Sequence, residues 1–180
     1  MKAFISTLLA SIAIAAPAVA APLPADHQQF LDTMARDGVN VHINEPAQAC
    51  YGEKDMDGAY IVFEDERFLV ICQDNRKTSD VVSWTANDLD TIRHEGFHVI
   101  QDCMAGSKND MVFDTVFSNQ DDVIDALGVP EAMNIMAAYS DLYENDRHGD
   151  IQYEIEAFYA ARDYSATELN SLYNTYCTVQ

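Results

Sequence analysis

Apolar positions in this chain fall into two rhythms. The clearest helical stripe is Leu89, Ile92, Gly96, Val99 or Ile100, and Cys103, which predicts an amphipathic helix over roughly 86 to 104. Thr85 followed by Asp88 supplies an N-cap with an acidic first turn, and Gly106 supplies the stop. Upstream, Pro24 to Arg36 carries Phe30, Leu31 and Met34 on one side with Gly38 past its end; it predicts a first helix with His27 on its surface. Val39 to Ile43 reads as a short strand containing His42. Two runs rich in Val, Ile, Tyr and Phe, 59 to 64 and 67 to 73, joined around Asp65-Glu66, read as a β-hairpin, and Asp55-Met56-Asp57-Gly58 as a turn before it.

Downstream of the long helix the stretch from Ser107 to Phe117 is irregular and placed to cover a cleft. Ser118 with Asp121 caps a short helix ending at Gly128, and Pro130 opens another through about Leu142. The polar segment 141 to 150 breaks the run, a helix follows from Ile151 to about Tyr164, and Ser165 with Glu168 makes a capping box for a last helix through Cys177. Trp84, before the long helix, reads as a staple on its first turn or as a pocket-lining residue. The class expected is α+β, a small antiparallel β-sheet followed by a mostly helical domain.

The long helix also carries chemistry. His94, Glu95 and His98 stand in the spacing His-Glu-x-x-His, which places both imidazoles on one helix face one turn apart, where they can grip one zinc ion. Glu95 projects roughly 100° round from His94, within reach of a water on that metal. Gly96 between the ligands costs up to about 1 kcal/mol relative to Ala in a helix, so backbone or substrate is expected to approach there. Asp102, one turn past His98, is a candidate to orient that imidazole.

His94, Glu95 and His98 make the chain resemble the zincin metallopeptidases. The metzincin extension needs Gly at 101 and His at 104, where this chain has Gln101 and Met104, so that branch is excluded. Nor does Met104 offer the Asp that some secreted zincins carry there. What remains resembles the gluzincins, in which a Glu on a later helix completes the site. The resemblance covers this helix and one later segment. Glu154 and Glu156 on the helix from Ile151 lie about 200° apart, so one of them can face the site. Glu156 is preferred over Glu154 because it shares a face with Tyr159, Ala160 and Asp163, and because Glu156-Ala157-Phe158 resembles the Glu-small-aromatic stretch of several gluzincins. Small Ala160 lets this helix come close to the first. The implied site is zinc held by His94, His98 and Glu156, with Glu95 as general base and His148 or Tyr143 as the donor to the developing oxyanion.

Composition narrows the setting. Met1-Lys2, the apolar run to Ala16 and Ala18-Val19-Ala20 read as a signal peptide over residues 1 to 20, leaving 21 to 180 as one domain that is secreted or periplasmic and free of the membrane once cleaved. Four cysteines in the exported part predict two disulfides. Cys50 and Cys72 flank the hairpin and are paired, leaving Cys103 with Cys177. A formal charge of −20 excludes nucleic acid as a partner and mildly favours cationic substrates. The expected activity is a zinc peptidase acting on peptide or protein substrates. Its rivals are a non-catalytic, disulfide-stapled binding or inhibitor domain and a zinc amidase acting on cell-wall peptides.

Overall fold

The computed structural model describes residues 21–51, 56–106, 112–139 and 151–178. Its elements run α1 (Ala25–Arg36), β1 (Val39–Ile43), α2 (Ala47–Cys50), β2 (Gly58–Phe63), β3 (Glu66–Ile71), α3 (Ala86–Met104), α4 (Gln120–Leu127), α5 (Val129–Ala138), α6 (Ile151–Asp163) and α7 (Ala166–Tyr176). The α+β class is therefore as expected. The sheet is not purely antiparallel: in strand order β1-β3-β2, the hairpin pairs antiparallel (Tyr60 opposite Leu69) while β1 runs parallel to β3 (Val41 opposite Leu69). The chain crosses over between β1 and β2, so β3 returns between them. Alternation of apolar residues encodes the hairpin but not the direction of a third strand.

The long helix α3 begins at the expected N-cap, which is a full capping box: the Thr85 side chain receives the Asp88 N–H while the Asp88 carboxylate receives that of Thr85. It is less amphipathic than its stripe predicts. From His94 through Cys103 every residue is buried, because the sheet, α6, α7 and the segment 112–117 surround this half of the helix. Phe30, Met34, Leu69, Ile71, Ile92, Phe97, Ile100, Leu169 and Tyr173 form the main core around it. On the α6 side Ala157 and Ala160 are fully buried, and Arg93 Nε donates to the Ala161 carbonyl at 2.6 Å. Small residues at this contact allow the close approach expected from Ala160.

Both disulfides, Cys50–Cys72 and Cys103–Cys177, are formed as paired from the sequence. The second spans 74 residues and ties the end of α3 to the end of α7, a closure that stabilises by about 4 kcal/mol in the chain-entropy account. Two smaller expectations are corrected. His27 is buried, because its Nε2 accepts from Arg93 (2.8 Å) across the α1–α3 contact and its Nδ1 bonds Asp26 (2.9 Å). The cap of α4 is Asn119, whose side chain accepts from the Asp121 N–H, rather than Ser118. Trp84 packs at the edge of the main core.

Gly96 has a different cause from the one its position between the histidines implies. A Cβ there lies 2.5 Å from Phe30 Cε1 and 2.7 Å from its Cζ, so a core ring of α1 occupies that space, not backbone or substrate. Phe30 is fully buried and has nowhere to move. Gly96→Ala gains up to about 1 kcal/mol of helix propensity but overpacks the core by ~1–3 kcal/mol. We expect a lower urea midpoint with an unchanged slope, a net loss of up to ~2 kcal/mol if the full propensity gain is realised.

Candidate metal centre

One helical turn of α3 brings the two imidazoles together, His94 Nε2 lying 3.2 Å from His98 Nε2 with the rings edge to face. The third group comes from the first turn of α6, where the positive end of the helix favours a carboxylate. It is Glu154: its Oε2 stands 3.3 Å from His94 Nε2 and 3.5 Å from His98 Nε2. Glu156 is corrected as a ligand. The two acids do project to different sides of the helix, and Glu156 turns away to bond Gln101, Gln120 and the backbone of 116–117. Glu154 takes the site because its face of α6, including Phe158 one turn on, is the one set against His94; the Phe158 and His94 ring centroids are 4.5 Å apart.

The His98 imidazole is held by its surroundings, whereas the buried Nδ1 of His94 has no hydrogen-bond partner among the described residues. Gln101 Oε1 accepts from His98 Nδ1 at 2.7 Å, in the place expected of Asp102. Asp102 is fully buried and instead accepts from the Tyr60 hydroxyl of β2 at 2.5 Å. Phe113 stacks on the His98 ring at 5.4 Å and 14° between planes, so the irregular segment after α3 covers the back of this ligand. Glu95 is buried beside the pair. Burial pushes its carboxyl up, and Glu154 adds to this, while the two imidazoles and a backbone hydrogen bond from Tyr60 work against it. For His98, burial disfavours the imidazolium, but Glu154, Glu95 and Gln101 outweigh that and push it up to about 9. Burial would raise Glu154, yet the two histidines hold it well below the usual carboxylate range.

A cavity of about 460 Å³ opens onto this turn, with His94, Glu95, Thr91, Gly58, Tyr139 and Phe158 among its walls. Gly58 is required at its position: a Cβ would sit 2.6 Å from Thr91 Cγ2 and 2.8 Å from Glu95 Cγ, so the start of β2 passes directly over the general-base candidate. Tyr139, at the end of α5, was not singled out from the sequence. Burial, with the nearby Glu154 and Glu95 carboxylates adding to it, pushes its hydroxyl up. The two residues nominated for that role, Tyr143 and His148, lie outside the described residues.

The donor set fits a divalent cation of the zinc type, two imidazole nitrogens and one carboxylate oxygen. Bonds of about 2.0–2.1 Å at tetrahedral angles hold ligand atoms ~3.3 Å apart, and the three separations here are 3.2, 3.3 and 3.5 Å. Glu154 Oε2 is buried, and the two imidazole nitrogens face it at 3.3 and 3.5 Å without a well-formed hydrogen bond, an arrangement that a cation between the three would satisfy. In structural sites, zinc binding of roughly 10–16 kcal/mol is shared over four protein ligands, so removing one ligand costs ~3 kcal/mol, or ~100-fold in affinity. We therefore expect His94→Ala, His98→Ala and Glu154→Ala each to lose zinc by about that factor in competition with a chelator. A Glu154→Ala chain that keeps wild-type affinity removes Glu154 from the ligand set. No protein-family model, curated protein or solved structure matches this chain.

Proposed function

We propose that the chain is an exported zinc-dependent peptidase with His94, His98 and Glu154 as the metal ligands. The observation that carries this reading is the near-tetrahedral triangle of donor atoms at 3.2, 3.3 and 3.5 Å with Glu95 buried against it at a cavity wall. Three protein ligands leave a fourth position for water or substrate, the pattern of a catalytic rather than a structural zinc. When bound, zinc supplies a Lewis acid that polarises the scissile carbonyl and brings the pKa of a water near neutrality.

The remaining chemistry belongs to the side chains. Glu95, raised by burial, takes a proton from the attacking water and returns it to the departing amine. Tyr139 faces the same cavity with its hydroxyl protonated, so it is placed to donate to the developing oxyanion. Strand β2, which begins at the cavity, has no strand on its outer side among the described residues and offers that edge to an extended peptide. Two disulfides support an oxidising compartment, and no described helix is long and apolar enough to cross a membrane.

Incubating the mature, zinc-loaded chain with a library of unmodified peptides, and reading cleavage by mass spectrometry, tests the reading. Glu95→Gln should keep its zinc and lose ~10²–10⁴ in turnover. Zinc bound with no cleavage that Glu95→Gln abolishes would leave a metal-binding domain without peptidase activity. Tyr139→Phe should also keep zinc and lower kcat by ~10²–10³, with little change in KM, the signature of a donor engaged only in the transition state.

A further inference from the structure

We infer that Glu156 is a positioning residue of the metal centre: through Gln101 it dictates which nitrogen of His98 faces Glu154 and His94. This rests on the zinc reading above and concerns how the chain prepares its own ligand. Glu156 is fully buried, and both its oxygens meet only donors. Oε2 accepts from Gln101 Nε2 at 3.0 Å and from the Val116 N–H at 3.1 Å. Oε1 accepts from the Phe117 N–H at 3.1 Å and from Gln120 Nε2 at 2.6 Å. Two of these four are backbone N–H groups, whose direction is not open to choice.

The consequence passes to Gln101. Its amide nitrogen lies 3.0 Å from Glu156 Oε2 and 3.1 Å from the Tyr153 carbonyl oxygen, and neither of those can be a donor there. A flipped amide would set its oxygen against both. Gln101 Oε1 must therefore point the other way, to His98 Nδ1 at 2.7 Å, which then has to carry the hydrogen. The lone pair of the neutral ring is left on Nε2, the atom beside His94 and Glu154. Four acceptor positions on one carboxylate thus settle a tautomer two residues away. The same carboxylate pins the backbone of 116 and 117, in the segment whose Phe113 ring lies on His98 and whose Asp114 N–H donates to the Gln101 carbonyl at 3.1 Å.

A purely structural Glu156 would only fasten that segment, and Gln101→Leu separates the two roles. It leaves Glu156 its bonds to Val116, Phe117 and Gln120 and cuts the leg to His98. In the mature chain, we expect Gln101→Leu to fold and to bind zinc ~10–100-fold more weakly in chelator competition, the usual loss when the partner of a ligating histidine is removed. Glu156→Gln, which offers two donors where only acceptors fit, should shift zinc affinity in the same direction. Long-range ¹H–¹⁵N spectra of the zinc-loaded wild type should show His98 hydrogen-bearing at Nδ1 and metal-bound at Nε2, with the Nδ1 hydrogen exchanging faster in Gln101→Leu.

A folded Gln101→Leu with wild-type zinc affinity overturns the relay and leaves the zinc site standing. So does a wild-type spectrum with the metal on His98 Nδ1, which decides the matter even if neither variant folds. A wild-type chain that takes up no zinc overturns both.

Discussion

The structure depends on bringing ionisable groups into the interior and setting them against one another. Within one turn of α3 and the first turn of α6 the chain buries His94, Glu95 and His98 and half-buries Glu154. Any of these alone in the core would be expensive. Together they place two imidazoles against one carboxylate at a helix N-terminus, and the mutual attraction shows in the raised His98 and lowered Glu154. The α3–α6 contact must be close and rigid for this, and alanines line it and Arg93 bonds across it.

Local chemistry made much of the fold legible in the sequence. The capping boxes at Thr85 and Ser165 and the periodicity of α3 set the helix limits within a residue or two, and the hairpin with its flanking cysteines located β2 and β3. What stayed hidden was relative placement. The direction of β1, the Phe30 ring over Gly96 and the burial of His27 are set by packing between elements far apart in sequence.

The candidate site divides the same way. His94, Glu95 and His98 are adjacent on one helix, so their spacing alone predicts their geometry. Choosing between Glu154 and Glu156 required the rotation of α6 about its axis, which sequence does not carry. The face bearing Tyr159 and Ala160 points into the core and toward 112–120, so a carboxylate there finds donors, while the Glu154 face finds imidazoles. A first-turn acid on α6, with Phe158 one turn on, was the signal available for Glu154. Nothing in the neighbourhood of Tyr139 marked it out, because its role follows only from where α5 ends.

With Phe113 lying flat on His98 and Gly58 crossing above Glu95, the centre is walled on two sides. A molecule reaching it through the cavity arrives from the His94 side, with its flank against Phe158 and Tyr139. Among the described residues this approach is one-sided. On the peptidase reading it would present one face of a flat amide to the reacting groups, so that the shape of the passage would sense the handedness of the residues on either side of the bond before any bond is made or broken.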